Sequence, residues 1–294
     1  MQLNAKSAID HRHVINIVTD ATYAHSSLEK SIPESVKLVE EILMEQLKII
    51  LRKATECAIC RGSPGNLVAE DFVFLMRRNH GKLRRLLQYL AAREKVQATV
   101  PEQDAEVRGV LSDVLQFLEN MEISLYTVEK SYEDFVDEIK LERELRLEKL
   151  SRSLSSADYV KFTRARQVHF ARTKELRKVF DTWLNENLKV KVTLSAGATL
   201  ILQYLAHETI ALLMDYGFIV RRDQRACLAL AFRPDGLLEP GIPGFEVPPC
   251  AGFKDPLTPV EIREAFRRAT VLEGQVGSHN IHARISCGEV IIAV

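Results

Sequence analysis

The chain has 294 residues, which is enough for one or two folded domains. Hydrophobic residues make up 46% of it, so it can bury a core and is not expected to be a disordered tail. Its 40 basic and 40 acidic side chains cancel. This balance argues against a stand-alone nucleic-acid binder, because phosphate contacts favour clearly basic proteins.

The cysteine usage and the apolar segments limit the cellular compartment. Five cysteines at irregular spacing indicate a reducing environment rather than a disulfide framework. Residues 1–20 lack the apolar core of a signal peptide, so we expect a nuclear or cytoplasmic protein. The most apolar stretch, 194–220, contains His207, Glu208 and Asp215. We therefore interpret it as a buried helix and not as a membrane span.

The first predicted elements are a short helix over 5–20 and a loop over 21–32. Pro33 then opens a long helix, because proline is favoured in a first helical turn. No further proline and no glycine occurs before Cys60, and apolar side chains recur at steps of three and four along the stretch. Such a wide apolar face requires more than one packing partner.

Further helices are separated by turn-rich or polar segments. They are predicted over 70–78, 82–93, 111–151, 155–184, 196–222 and 259–268. Residues 96–108 are interpreted as a linker, and 233–259, which holds seven of the ten prolines, as an irregular loop. Weak strand signals occur at 281–285 and 290–292.

The two halves of the chain repeat one order of elements: a first helix, a very long central helix, a loop and a short helix. Asp71-Phe72 in one short helix corresponds to Glu261-Ile262 in the other. Each unit alone leaves the apolar side of its long helix uncovered, whereas two units in one chain can cover each other. Because linkage raises their effective concentration, we expect intramolecular pairing.

Four ordered stretches of the chain carry a family resemblance. They are 33–90, with EDFVFLMRR at 70–78, then ADYVKFTRARQVHF at 157–170, LAHETIA at 205–211 and PVEIREAFRR at 259–268. Together they resemble the Suppressor of Ty three family. The resemblance implies an all-α fold in which tandem histone folds pair intramolecularly and are joined by a helical linker.

The resemblance also implies a division of the chain. The expected parts are an N-terminal histone fold over 1–95, a linker with an acidic helix over 96–154, a C-terminal histone fold with a long proline-rich loop over 155–270, and a tail over 271–294. One departure from the family pattern is the absence of a threonine cap before 70–78. The loss of such a cap costs about 1 kcal/mol.

The function implied by the resemblance is that of a non-catalytic subunit of a SAGA-type transcription coactivator in the nucleus. Its implied partners are TATA-binding protein, which it helps to recruit to RNA polymerase II promoters, and other SAGA subunits, including histone-fold proteins. The sequence contains no P-loop, dinucleotide fingerprint or nucleophile elbow. No enzyme activity, cofactor, metal, small-molecule substrate or membrane contact is therefore expected.

Two alternative functions are also compatible with the sequence. A DNA-binding histone-fold factor would contact duplex DNA directly, although the zero net charge argues against it. A histone-fold subunit of the general initiation factor would depend on a separate histone-fold chain. The first half of the sequence alone does not separate this alternative from the coactivator subunit.

Candidate partner-binding residues are a carboxylate in an apolar helix and a basic cluster. Glu208 is interpreted either as a solvent-facing residue or as a partner contact, since an unpaired buried carboxylate would be costly. The cluster is either a solvated face or a contact for an acidic protein surface or DNA. The candidates are Glu208, Arg77, Arg78, Lys82, Arg84 and Arg85.

The predicted histone-fold pairing core consists of apolar side chains on the two long helices. They are Val39, Leu43, Ile50, Leu202, Leu205 and Leu212. In histone folds an acid of the short helix often pairs with an arginine of the preceding loop, and Arg61 is the candidate for Asp71. If exposed, such a pair contributes at most about 1 kcal/mol.

Three further patterns have a plain structural interpretation. Cys57 and Cys60 have metal-like spacing but no second ligand pair nearby, so they are interpreted as buried or partly buried helix cysteines. His207-Glu208 lacks the second histidine of a zinc-protease motif. The basic stretch 161–178 is expected to pair with the acidic stretch 133–148.

Overall fold

The structure is a computed structural model that describes residues 2–26, 31–99, 109–121, 136–168, 170, 174–188, 192–231, 255–276 and 291–293. Within these residues the chain forms helices and two very short strands, so the all-α prediction is confirmed. The helices are α1 Gln2–Ser26, α2 Pro33–Cys60, α3 Ala69–Met76, α4 His80–Thr99, α5 Val110–Asn120, α6 Glu138–Arg152, α7 Ser156–Gln167, α8 Lys174–Asn187, α9 Ala196–Ala231 and α10 Pro259–Val276. The strands are β1 Asn66–Leu67 and β2 Thr193–Leu194.

Helix α2 has the predicted bounds, whereas α1 and α9 are longer than predicted. The predicted loop over 21–32 is wrong for residues 21–26, because the apolar stripe of Val14 and Val18 continues through Ala21 and Ala24, all of which are buried. The predicted end of α9 at residue 222 is wrong as well, because the helix continues to Ala231.

The turn after α2 leads into a contact between the two halves of the chain. Gly62 and Gly65 have φ angles of +81° and +84°, a backbone region that favours glycine. Strand β1 then pairs in parallel with β2, with Leu67 opposite Leu194. This two-residue ladder, which the sequence analysis did not predict, ties the loop after α2 to the start of α9.

The two long helices belong to one continuous core. Helix α9 packs against α1, α2, α3 and α10, and α10 also packs against α2. The tandem units therefore pair within the chain, as predicted. The six residues proposed for pairing are all buried, with at most 5% of each exposed; their individual contribution to pairing stays a prediction. Helix α9 is long and apolar enough to cross a membrane, but most of it lies inside the protein, as is typical of a core helix.

The predicted linker contributes two described helices. Val110, Val114 and Leu118 of α5 are buried, and α5 packs against α3 and α4. Leu147 and Leu150 of α6 form a second, small apolar cluster with Phe162 of α7. These contacts join the linker helices to their neighbours, and the domain boundaries themselves stay predictions.

The proline-rich loop and the tail are described only in part. Residues 232–254 and 277–290, with the strand signal at 281–285, lie outside the described residues. Ile291 and Ile292 do not form a strand, so the strand prediction at 290–292 is wrong for these two residues. They are nevertheless buried, with 8% and 0% exposed.

Leu257, just before α10, closes the core where a glycine allows a close approach. A Cβ atom on Gly217 of α9 would lie 2.5 Å from Leu257 Cδ1. The hydroxyl of Ser35 on α2 donates a 2.7 Å hydrogen bond to the carbonyl oxygen of Leu257. The segment before α10 is therefore held between both long helices.

Replacement of Gly217 by alanine should destabilise the protein by about 1–3 kcal/mol, because the buried Leu257 side chain would have to move. The matched control is Gly81→Ala in α4, where a Cβ would meet only the Asn79 side chain, at 3.7 Å. This variant should be neutral or slightly stabilising. Urea unfolding followed by circular dichroism measures both, and equal effects would contradict the packing argument.

A charge at Leu43, which is fully buried on α2, should disrupt the pairing of the long helices. Leu43→Asp is expected to abolish cooperative thermal unfolding, whereas the same change at the exposed Ile59 of α2 should be tolerated.

Residues 1–95 and 150–294, expressed separately, should be poorly soluble and rescue each other on mixing. Soluble, independently folded halves would contradict intramolecular pairing.

Candidate functional site

Glu208 lies on α9 inside the protein, with only 6% of the residue exposed. Its carboxylate accepts a 2.6 Å hydrogen bond from Arg85 of α4 and two hydrogen bonds of 3.1 Å from Arg143 of α6. The interpretation of Glu208 as a solvent-facing residue is therefore wrong. Its carboxylate joins α9 to two other helices.

The ion pairs around Glu208 extend into a larger group, which we call the arginine–carboxylate network: Arg85, Asp137, Arg143, Arg146, Glu208 and Asp215. Arg143 and Arg146 of α6 each donate a 2.5 Å hydrogen bond to Asp215, two turns along α9 from Glu208. Arg85 also pairs with Asp137. Asp137 in turn caps α6 by accepting hydrogen bonds from the backbone N–H groups of Ile139 and Lys140.

Electrostatics favour the charged forms within this network. Burial raises the pKa of the Glu208 carboxyl, but the charges of Arg143 and Arg85 and their hydrogen bonds outweigh it, so the net pKa is below its ordinary value. Burial lowers the pKa of Arg143, and the charges of Glu208 and Asp215 more than compensate, so its net pKa is raised. The buried charges are therefore paired, as the cost of desolvation requires.

Aromatic and imidazole rings surround the network. Tyr204 lies one turn before Glu208, and its ring centroid is 4.8 Å from that of Tyr89. Burial raises the pKa of Tyr204 well above the ordinary value. His207 lies 5.2 Å from His25 of α1 between ring centroids. Burial lowers the pKa of both histidines. Both histidines are therefore neutral near pH 7. The charged side chains in this part of the protein are those of the arginine–carboxylate network.

The other members of the predicted basic cluster have different environments. Lys82 is buried, and its ammonium group donates a 2.8 Å hydrogen bond to the carbonyl oxygen of Ile292. Arg77 lies over the ring of Phe74, 3.8 Å from its centroid. Arg84 is half-buried and Arg78 is exposed. The structure therefore does not bring the six candidates together as one surface, and their role in partner binding stays a prediction.

Each of the two units has an arginine clamp on the acid of its short helix. Arg61 donates hydrogen bonds of 3.2 and 3.0 Å to Asp71, which confirms the predicted pair. Arg221 pairs with Glu261 at 2.6 Å. The Asp71 carboxylate also accepts from the backbone N–H of Val68, so it takes over part of the role of the missing threonine cap.

The Arg221–Glu261 pair of the second unit is accompanied by a threonine cap, which the Arg61–Asp71 pair of the first unit lacks. Thr258 exchanges hydrogen bonds with Glu261: its hydroxyl and backbone N–H donate to the carboxylate, and the hydroxyl accepts from the Glu261 backbone N–H. Arg221 also donates to the carbonyl oxygens of Asp255 and Pro256. It therefore fixes the segment that precedes α10.

The expected pairing between the basic stretch 161–178 and the acidic stretch 133–148 stays a prediction, because two ion pairs of these stretches lie within single helices. Lys161 pairs with Asp158 within α7, and Arg152 pairs with Glu148 within α6. Part of both stretches lies outside the described residues. In α6, arginines and not acids make the inward polar contacts.

The cysteine and histidine motifs do not form a metal site within the described part of the chain. Cys57 is half-buried and Cys60 is exposed, so only Cys57 matches the predicted burial. No group of three or more potential metal ligands occurs among the described residues.

Sequence reasoning missed the partners of Glu208. Arg143 and Arg146 stand three residues apart in α6, and Glu208 and Asp215 stand seven apart in α9. Both spacings place the two residues of each helix on one face. The signal was therefore present, but it did not show which faces meet.

Comparisons with known proteins fit this architecture. The profile of a family described as "Transcription initiation factor IID, 18kD subunit" matches residues 16–105. A Drosophila melanogaster protein named SAGA complex subunit Spt3 is 30% identical over 65% of this chain and 49% of its own length. The Schizosaccharomyces pombe protein of the same name is 26% identical over 66% of this chain and 68% of its own length. An Arabidopsis thaliana protein named Transcription initiation factor TFIID subunit 13 is 35% identical over 25% of this chain.

The fold and the matched segments define a class: all-α proteins in which tandem histone folds pair within one chain. The match to the two Spt3 relatives, which extends over about two thirds of the chain, confirms the resemblance to the Suppressor of Ty three family. The matched part spans about half the length of the Drosophila relative.

Loss of the Glu208 charge should destabilise the protein at neutral pH. Glu208→Gln leaves Arg85 and Arg143 with one carboxylate partner each, and removal of one partner from a buried ion pair costs about 3 kcal/mol. The matched control is Glu41→Gln on the exposed face of α2, which should leave stability nearly unchanged. Denaturant unfolding at pH 7 measures both, and equal effects would contradict the network.

The stability that Glu208 contributes should also depend on pH. Because the folded-state pKa lies below the ordinary 4.5, the contribution is fully present above pH 4.5 and is lost as the pH falls through the folded pKa. The difference in free energy of unfolding between the unaltered chain and Glu208→Gln should therefore shrink on acidification below pH 4.5. A difference that grows on acidification would show that Glu208 is not ionised in the folded protein.

Proposed function

We propose that this chain is a non-catalytic subunit of a SAGA-type transcription coactivator, works in the nucleus and helps to recruit TATA-binding protein to RNA polymerase II promoters. The observation that carries the proposal is sequence similarity over about two thirds of the chain to proteins named as SAGA subunits. The aligned segments, of 196 and 220 residues, are longer than the segment 16–105 that the initiation-factor profile matches.

The intramolecular pairing supports a scaffold role. A histone-fold unit ordinarily needs a second unit to cover its long helix, and here α9 covers α2. Contacts with other subunits therefore fall to the remaining surface. That surface includes exposed apolar side chains on two helices of the linker and second unit: Ile139, Leu141 and Leu145 of α6, and Tyr159 and Val160 of α7.

The network around Glu208 supports the same role indirectly. It fixes α6 against α9 and gives the exposed side of α6 a defined orientation. A scaffold subunit requires such rigid presentation, because each side chain ordered only upon binding weakens the complex. Glu208 acts in this proposal by positioning α6, and not as a direct partner contact.

Among the predicted basic candidates, Arg78 is the most accessible, because it lies exposed after α3. If the cluster contacts an acidic partner surface, Arg78→Glu should reduce co-purification of partner subunits by about tenfold while the thermal unfolding temperature stays unchanged. The matched control is Lys48→Glu, a charge reversal at an exposed position of α2. Equal co-purification of both variants would exclude Arg78 from the partner surface.

The proposal as a whole is tested by purification of the tagged chain from nuclear extract, with partners identified by mass spectrometry. Enrichment of SAGA subunits and of TATA-binding protein is expected, and a fluorescent fusion should accumulate in the nucleus. A purification that enriches neither SAGA subunits nor TATA-binding protein would refute the proposal. Binding of TATA-binding protein to the isolated chain should then be measured directly, since co-purification alone does not distinguish direct from bridged contacts.

A subunit of the general initiation factor is a second candidate function, favoured by the profile match over 16–105 and by the Arabidopsis relative. It predicts enrichment of initiation-factor subunits and dependence on a separate histone-fold chain. Light scattering of the purified full chain separates the two. A soluble monomer favours the coactivator subunit, and recovery only as a complex with another histone-fold chain favours the alternative.

A further inference from the structure

Residues 291–293 occupy a site in the first histone-fold unit, more than 200 positions away in sequence. Ile291, Ile292 and Ala293 have 8%, 0% and 1% of their surface exposed and belong to the main core. The residues of the first unit that hold this segment lie on α2 and α4, two helices far apart from it in sequence.

Two buried polar side chains hold the backbone of a single residue, Ile292. The amide oxygen of Gln46 on α2 accepts a 3.0 Å hydrogen bond from the Ile292 N–H. The ammonium group of Lys82 on α4 donates a 2.8 Å hydrogen bond to the Ile292 carbonyl oxygen. Gln46 is 2% and Lys82 is 7% exposed, so both polar groups lie inside the protein.

This arrangement is chemically that of a peptide-binding site. Helices use their own backbone N–H and C=O groups internally, so a non-helical segment that crosses them needs side-chain partners for its backbone. Gln46 supplies the acceptor and Lys82 supplies the donor. Because these two contacts involve backbone groups, they accept any residue type, and selectivity for aliphatic side chains comes from the surrounding apolar core.

The geometry points to a binding site for a short aliphatic peptide segment between α2 and α4, which residues 291–293 of this chain occupy. The ligand is a peptide of the type EVIIAV, the sequence of residues 289–294. The same peptide supplied by another molecule competes for the site. The inference is independent of the proposed function, since it rests only on contacts within the chain.

An occupant that is part of the same chain has a high effective concentration and masks the site. Linkage of this kind changes apparent affinity by about 100-fold or more. The full chain should therefore bind added peptide weakly, whereas a full chain whose own segment is displaced should bind it well. This difference separates an exchangeable ligand from a permanent part of the core.

The first experiment opens the site with one substitution, Ile292→Asp in the full chain, and measures binding of fluorescent EVIIAV by anisotropy. Binding at least about 100-fold tighter than to the unaltered chain is expected. Within the opened chain, Gln46→Ala should weaken binding by about tenfold, through loss of a buried hydrogen bond, whereas Lys48→Ala on the exposed face of α2 should not. The peptide EVIDAV serves as the non-binding control.

A second measurement needs no variant and so does not depend on how Ile292→Asp folds. Excess EVIIAV added to the unaltered chain should displace residues 291–293 and accelerate hydrogen exchange at the Ile292 amide by about tenfold or more. A folded Ile292→Asp chain that fails to bind the peptide would overturn the inference. So would unchanged exchange at Ile292 under saturating peptide, because the segment would then be a fixed part of the core.

Discussion

The fold depends on the need to cover α9 on nearly every side. Most of its described residues are buried, and α1, α2, α3 and α10 all pack against it. Helix α2 has a wide apolar face of its own, so each long helix supplies cover that the other lacks. The ladder between Leu67 and Leu194 and the hydrogen bond from Ser35 to Leu257 then join the two units.

A helix buried to this degree can carry carboxylates only if cations accompany them. Glu208 and Asp215 stand seven residues apart on one face of α9, and Arg143 and Arg146 stand three apart on α6, so the two pairs can meet side by side. Apolar residues of similar size would often give equal or greater stability. The network is therefore better understood as a device that selects one position of α6 than as a source of stability.

Sequence reasoning located the elements whose signals are local and missed those that depend on tertiary contacts. The bounds of α2 follow from Pro33 at its start and the glycine-containing turn at its end, and the Arg61–Asp71 pair follows from proximity in sequence. The burial of Glu208 and of Ile292 depends on residues 65 and more than 200 positions away, respectively. No local periodicity carries that information, so the sequence could not exclude the solvent-facing interpretation of Glu208.

Helix α4 shows why a basic cluster in sequence need not be a basic surface. Lys82 and Arg85 lie three residues apart on it, and both turn inward: Lys82 holds Ile292, and Arg85 holds Asp137 and Glu208. Through these two side chains α4 contacts the linker at Asp137, the second unit at Glu208 and the tail at Ile292. Fewer positive side chains are therefore available to outside partners than the sequence indicates. The exposed one among the six candidates is Arg78, just after α3. The zero net charge of the chain does not show where the charges lie. Several acidic and basic side chains are paired with each other inside the protein.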